Sequence, residues 1–386
     1  MKKVFAIAVV FMSCCLAFSK GKNQNLTDFF RGDIQDKINA VKKSSEAGDS
    51  SVAVQAIDFL IQSSDALAGD EDYNVLAETS IKSFNPRNSV GNEKEISAQL
   101  CSLFKMTGSQ RVKIAIIDFF MKAPNSESVQ LINDYFYKKM QNHEAMDEAV
   151  VNAIKFMGAK GNAASFNRLF IADILEVWPE YCPVIEESYA NLAEENRREI
   201  LQMVVSVPAD KKILILKKLI SNAGISKNIC GECAENVMSS IINTYEEEKS
   251  KDKKEDIVEL ELLCLETIAR TKWTRASSLT TKIFEILRLE YEQQVISVEQ
   301  FTKAISHISA VASNDTVVVL SAYLDFLNKC TENGQPPVKD VVLSVINCLG
   351  ELGDNKAFDF IYAATSLAYP EEVVDAAKSA ITKLKW

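Results

Sequence analysis

The chain has 386 residues, with 13 Gly and 8 Pro, where average usage in this length would give about 27 and 19. Tight hairpins and phosphate-binding loops use glycine and helices do not, so this shortage favours a helical protein. A net charge of −10 argues against a general nucleic-acid binder. With two histidines, His143 and His307, histidine-based metal sites and catalytic triads are not expected.

The first residues have the pattern of a bacterial export signal. Lys2 and Lys3 precede an apolar stretch over 4–16, and residues 17–19 (AFS) fit a small-x-small cleavage site. The apolar stretch is too short to span a bilayer, which needs about 20 residues. The pattern predicts a signal peptide at 1–19, cleaved between Ser19 and Lys20, and an exported protein in the periplasm or associated with the envelope.

Two cysteines inside this segment leave an alternative open. Cys14 or Cys15 would become the first residue of the mature chain if the signal were of the lipoprotein type. The position three before the cysteine holds Phe11 or Met12, where such signals usually carry Leu or a similar aliphatic residue. The mature protein is therefore expected to be either plainly secreted or lipid-anchored at one of these cysteines.

Apolar residues recur at helical spacing through most of the chain. The predicted helix faces include Val112, Ala115, Ile116, Phe119 and Phe120, and further along Ile283, Ile286, Leu287 and Leu289. No pair of alternating strands is joined by Asn-Gly or Asp-Gly, the strongest short-range hairpin signal. The sequence therefore predicts an all-α protein.

Short polar clusters interrupt the helical stretches at a regular interval. Each cluster offers Asp, Asn or Ser, which cap helix N-termini, often just after a glycine that can end the previous helix. Asn125 and Asn162 lie 37 residues apart, and Asp315 and Asp354 lie 39 apart. A period near forty with two helices per period predicts stacked helical hairpins.

Two distant segments align without gaps and add to this repeat signal. Residues 154–162 (IKFMGAKGN) match residues 346–354 (INCLGELGD) at their apolar, glycine and capping positions. Gly158 thus corresponds to Gly350, and Asn162 to Asp354.

The C-terminal segment resembles the bacterial HEAT-repeat family. The resemblance lies in residues 349–354 (LGELGD) with Ala357, then in 370–373 (PEEV) with Ala376, Ala377, Ala380 and Ile381. Residues 111–115 (RVKIA) resemble the same helix start, and the match is good over 335–386 and fair over 100–170 and 300–335. Val374 and Asp375 stand where the family often has Arg. The resemblance implies an alpha-alpha superhelix, a HEAT-like solenoid of stacked hairpins, in which Pro370 begins a helix and the three alanines allow close helix approach.

The interval is longer in one region, which suggests a division of the chain. Asp210 and Thr274 lie 64 residues apart, and the charged run 246–256 (EEEKSKDKKED) falls between them. We expect N-terminal helical repeats at 20–223, an irregular insertion or hinge at 224–256, and C-terminal HEAT-like repeats at 257–386.

Cys230 and Cys233 form the one local pattern with chemical meaning. Cysteines three apart ahead of a helix can form a disulfide, and a helix N-terminus favours the thiolate of the first. A zinc site would need two further ligands, and no second Cys-x-x-Cys or histidine pair exists. The pair is open to three interpretations: a structural disulfide or spare thiols, ordinary helix-end cysteines, or redox or metal chemistry. Cys264 and Cys348, in apolar helical patterns, are expected to be buried.

The sequence offers no catalytic constellation. No nucleotide-binding fingerprint, P-loop or esterase elbow is present, so no catalytic, cofactor-binding or metal-binding residue is predicted. The expected function is non-catalytic binding of a protein or peptide on the concave solenoid face, without nucleic acid and without a transmembrane segment in the mature chain. The alternatives are an envelope thiol-redox protein using Cys230 and Cys233, and a HEAT-like lyase or accessory enzyme.

Overall fold

The computed structural model describes residues 24–64, 69–84, 93–247, 255–311 and 313–385. These residues are almost all in helices, and no strand occurs among them apart from a single parallel bridge between Asp354 and Lys385. The prediction of an all-α fold is confirmed. The predicted signal peptide, with Cys14, Cys15, Ser19 and Lys20, lies outside the described residues.

The chain divides into two compact units, residues 1–192 and 193–386. Unit 1 contains α1 (24–31), α2 (Ile34–Glu46), α3 (Ser51–Gln62), α4 (Glu71–Ser83), α5 (Glu93–Met106), α6 (Gln110–Lys122), α7 (Ser126–Gln141), α8 (Glu148–Lys160) and α9 (Ala163–Ile174). A 3-10 turn, Pro179–Tyr181, then leads into α10 (Cys182–Ala193), which ends at the boundary.

Unit 2 contains α11 (Arg197–Ser206), α12 (Ala209–Ser221), α13 (Lys227–Glu247), α14 (Glu255–Thr271), α15 (Ser277–Glu292), α16 (Val298–Ser309), α17 (Asn314–Glu332), α18 (Lys339–Leu352), α19 (Phe358–Ala364) and α20 (Glu371–Lys383). The segment 224–256, expected to be irregular, is helical over Lys227–Glu247. Residues 248–254, which hold most of the charged run, lie outside the described residues. Whether this region acts as a hinge stays a prediction.

Each unit packs its helices in two layers that follow chain order. In unit 1 one layer runs α2, α4, α6, α8 and the other α3, α5, α7, α9, each helix contacting the next in its layer. In unit 2 the layers run α12, α14, α16, α18, α20 and α11, α13, α15, α17, α19. Successive helices pack across the layers, so each amphipathic face is covered by sequence neighbours.

Polar contacts between neighbouring helix pairs repeat the spacing seen in the sequence. Side-chain hydrogen bonds join residues about forty positions apart: Gln99 with Asp58, Arg111 with Glu71, Lys217 with Glu259, Arg275 with Glu235, and Tyr369 with Asn328. These separations range from 40 to 42 residues. Other side-chain hydrogen bonds between neighbouring helix pairs join residues 28 to 43 positions apart, so the contacts are compatible with the interval read from the capping clusters.

The polar clusters act largely as predicted at helix ends. Asn125 and Asn162 each cap a helix through a side-chain oxygen that accepts from the backbone N–H three residues on, and Ser313 does the same. Gly353 ends α18 in the left-handed conformation, φ 68°. Pro370 differs from expectation, since it lies at the N-cap and Glu371 is the first helical residue.

The predicted apolar faces are buried with one exception. Val112, Ala115, Ile116, Phe119 and Phe120 are all buried in α6. In α15, Ile283, Ile286 and Leu287 are buried, but Leu289 is 37 % exposed because it falls outside the buried stripe. Cys264 and Cys348 are buried as predicted. None of the described helices is both long enough and apolar enough to cross a bilayer.

Candidate functional site

Unit 1 contains a groove of about 640 Å³ between α5 and α7, two neighbours in one layer, with α6 contributing from the other layer. We call it the α5–α7 groove. Its lining residues are Cys101, Phe104 and Lys105 of α5, Lys113 of α6, Glu127, Gln130, Leu131, Asp134, Tyr135, Lys138 and Lys139 of α7, and Glu144 of the following turn.

The groove is built around a pair of aromatic rings and a lysine. Phe104 and Tyr135 pack edge to face, with ring centroids 5.1 Å apart and planes at 89°. The Lys113 ammonium lies 5.0 Å from the Tyr135 ring centroid and 5.7 Å from that of Phe104. Both distances are within the range of cation–π attraction. The two rings therefore contact the Lys113 ammonium directly.

Lys139, whose ammonium also lies near the Tyr135 ring, is paired with two carboxylates. Its ammonium lies 2.6 Å from a Glu144 carboxylate oxygen and 3.4 Å from one of Asp147. Hydrogen bonding to Glu144 raises the pKa of Lys139, and the same bond lowers the pKa of Glu144. The indole N–H of Trp178 donates to the Glu144 carbonyl at 2.9 Å, which fixes the turn. At this end of the groove, the charge of Lys139 is thus paired with carboxylates, and the turn at Glu144 is held by a hydrogen bond.

Lys113 forms no such ion pair. Among the described residues, no carboxylate lies within ion-pair distance of its half-buried ammonium. Burial lowers the pKa of Lys113, the positive charge of Lys139 lowers it further, and the more distant carboxylates of Asp147 and Glu144 offset part of this shift. The Tyr135 hydroxyl is buried without a hydrogen-bond partner in the described part of the chain, and burial raises its pKa. Within the described residues, the Lys113 ammonium therefore has no ion pair and the Tyr135 hydroxyl has no hydrogen bond.

The exposed rim adds to the positive charge. Lys105 and Lys138 are exposed and form no ion pair with any described residue. Asp134 is bound by Arg168 of α9 at 3.1 Å, which leaves Glu127 as the acidic lining residue without an ion-pair partner in the structure described. The lining residues without an ion pair to any described residue are thus three lysines and one glutamate. The groove is therefore locally more positive than the chain as a whole, whose net charge is −10.

Cys230 and Cys233 lie inside α13 and not ahead of it, which differs from expectation. Both are free thiols and buried, 5 % and 0 % exposed. The Cys230 thiol lies 3.6 Å from the Leu219 carbonyl oxygen, to which it donates. Burial raises the pKa of both thiols, which suppresses the thiolate that redox chemistry needs. Disulfide formation between them stays a prediction.

The residues between and after these cysteines join α13 to its neighbours. A Cβ on Gly231 would lie 2.8 Å from the Trp273 ring, so glycine permits that ring to pack. Glu232 binds Arg197 at 2.5 Å and Arg275 at 3.0 Å. Glu235 accepts from the Trp273 indole N–H at 2.6 Å. Within the Cys-Gly-Glu-Cys pattern, the two cysteines and Gly231 thus serve packing, and Glu232 serves ion pairing.

The remaining sequence candidates do not converge on a site. His143 is exposed in the turn after α7, and His307 is half-buried in α16, where burial lowers its pKa. No group of side chains suited to holding a metal ion occurs among the described residues. A second cavity, about 670 Å³ in unit 2, includes Lys217, which is paired with Glu259 at 2.5 Å.

The groove residues were not singled out in the sequence. In the sequence, Lys113 belongs only to a predicted helix start. Its aromatic neighbours in the groove lie 9 residues before it and 22 residues after it. No local motif joins residues at such separations. The adjacent Lys138 and Lys139 beside Tyr135 give a weak hint, but similar groups occur elsewhere in the chain.

Searches for similar proteins add no identification. No protein-family model matches the chain, and no curated protein matches it.

Proposed function

We propose that the protein is an exported, non-catalytic scaffold of the bacterial cell envelope that binds a protein partner. Two-layer packing in chain order, with contacts about forty residues apart, supports a HEAT-like α-solenoid in each unit. Stacked repeats of this kind present long surfaces between parallel helices, which suit extended partners. The export signal inferred from residues 1–19 supports the envelope assignment.

The observation that carries the proposal is the α5–α7 groove. The groove lies between α5 and α7 and is open to solvent. Its lining combines the packed rings of Phe104 and Tyr135 with lysines that form no ion pair with a described residue. Aromatic residues flanked by charge are typical of recognition surfaces. Its lining includes neither serine nor histidine, and burial raises the pKa of Cys101 to about 11. These features disfavour a serine or cysteine nucleophile paired with a histidine base.

Neither alternative has comparable support. The redox hypothesis needs a stabilised thiolate at Cys230 or Cys233, and burial of both thiols disfavours it. A lyase or accessory enzyme needs convergent ionisable groups with a reactive partner. The unit 2 cavity contains Lys217, Glu259 and Glu266, but the Lys217 ammonium is paired with Glu259.

Photo-crosslinking in the cells that produce the protein tests the proposal. A benzophenone amino acid at Gln130, an exposed lining residue of the groove, is expected to yield a protein adduct in the envelope fraction. The same probe at Lys378, exposed on α20 in unit 2, is the matched control and is expected to give little adduct. If Gln130, Lys105 and Lys138 all give no protein adduct, the proposed function is wrong.

A further inference from the structure

The α5–α7 groove has side chains suited to binding an anion. Lys113 is half-buried and contacts two rings, yet no described carboxylate lies within ion-pair distance of it, and Glu144 and Asp147 act on it only from further away. A partly desolvated charge that lacks a partner is unfavourable, so a bound anion would relieve its cost. Neighbouring Lys138 and Lys105 add two exposed positive charges that no described side chain pairs.

The groove also offers apolar surface beside this charge. Phe104 and Leu131 line it, and the Tyr135 ring forms part of the same wall. A ligand that combined an anionic group with an apolar neighbour would match both features. A peptide with acidic and apolar side chains has this composition.

We propose that the α5–α7 groove binds an acidic segment of a protein partner, with an Asp or Glu carboxylate of that segment paired to Lys113. Lys138 and Lys105 attract further carboxylates along the rim. This inference rests on the proposed function and names the chemistry of the partner.

The donor set favours a carboxylate over a phosphate. Phosphate sites often combine basic side chains with backbone N–H groups at a helix N-terminus. The N-terminus of α7 is already capped by Asn125, whose side chain accepts from the Ser128 N–H at 2.8 Å. Glu127 at that end would also repel a dianion.

Fluorescence anisotropy with synthetic peptides tests the inference on the full mature chain. The probe is a labelled peptide of glutamates alternating with leucine, glycine and serine; its control carries glutamine for every glutamate. The wild-type protein is expected to bind the glutamate peptide at least about tenfold more tightly. Binding should weaken as NaCl is raised, because exposed charges are screened.

Variants locate the site. Lys113→Gln is expected to weaken binding of the glutamate peptide about tenfold and Lys138→Gln about threefold. Lys122→Gln is the matched control, since Lys122 is an exposed lysine of the same helix α6 outside the groove. It should leave binding within about twofold of wild type. Lys113→Arg keeps the charge and should restore most of the affinity, which separates loss of charge from misfolding.

Each remaining outcome overturns the inference in a recognisable way. Equal affinities of Lys113→Gln and Lys122→Gln would place the peptide elsewhere. Tighter binding of a peptide with phosphoserine for glutamate would make phosphate the ligand, and no binding of the glutamate peptide would exclude the acidic segment. In all three cases a protein adduct in cells at Gln130, Lys105 or Lys138 would leave the proposed function standing, whereas the absence of an adduct at all three positions is the failure of the function itself.

Discussion

Burial decides the chemistry of individual side chains in this protein more than residue type does. Cys230 and Cys233 have the spacing of a redox pair, but both lie on the covered side of α13. Lys113 has no motif around it, but it is half-buried against two rings and forms no ion pair with a described residue. Reactivity and binding at these residues follow from their surroundings.

We expect the thiols of Cys230 and Cys233 to react slowly with iodoacetamide in the native protein at pH 8. Alkylation requires an accessible thiolate, and burial raises the pKa of both groups. Cys330, which is half-buried, is the internal control and should be labelled first. Mass spectrometry of peptides after timed labelling measures the order. Labelling of Cys233 as fast as Cys330 would revive the redox alternative.

The same raised pKa values predict how stability depends on pH. Above the ordinary thiol pKa of about 8.5, unfolded thiols lose protons that the folded ones retain. The unfolded state then binds fewer protons than the native state, so the free energy of unfolding falls as pH rises. Below that range the buried thiols contribute no pH dependence.

At the scale of helices, two glycines permit close approach between neighbouring helices. A Cβ on Gly158 in α8 would lie 2.7 Å from the Ser188 Cα of α10, and one on Gly350 in α18 would lie 2.9 Å from the Ala380 Cβ of α20. Each glycine thus faces a residue 30 positions further along the chain. The gapless match between 154–162 and 346–354 therefore reflects the same packing role in both units.

Gly158→Ala and Gly350→Ala are each expected to lower the free energy of unfolding by about 1–3 kcal/mol, because a methyl group would force the paired helices apart. Gly108→Ala is the control, since nothing lies within 4 Å of a Cβ there. It should change stability by no more than about 0.5 kcal/mol. Chemical denaturation followed by circular dichroism measures all three. A Gly350→Ala protein as stable as Gly108→Ala would contradict the close packing.

Across a whole unit, the helices depend mainly on their sequence neighbours. The principal contacts of α18 are with α16, α17 and α20, and those of α4 are with α2, α3 and α6. Stability in such an arrangement is close to a sum of local and nearest-neighbour terms. A substitution in one helix should consequently destabilise that helix and the helices it contacts, and leave distant helices unchanged.

Hydrogen exchange by mass spectrometry checks this expectation. Gly350→Ala should speed amide exchange in α16, α18 and α20, whose packing it disturbs, and leave exchange in α2–α4 unchanged. Gly158→Ala is the reciprocal variant and should affect α6, α8 and α10. Uniform acceleration throughout the chain in either variant would indicate a single cooperative core.

The sequence by itself determined the helical class, most capping positions and the repeat interval. These depend on local periodicity and on hydrogen bonds within a few residues, which a sequence shows directly. Asn125 and Asn162 cap helices where they were expected to, and the predicted apolar face of α6 is buried. Tertiary structure alone decided that Cys230 and Cys233 are covered and that Lys113 meets Phe104 and Tyr135. Those contacts join residues from different helices, and their burial depends on which helices pack side by side.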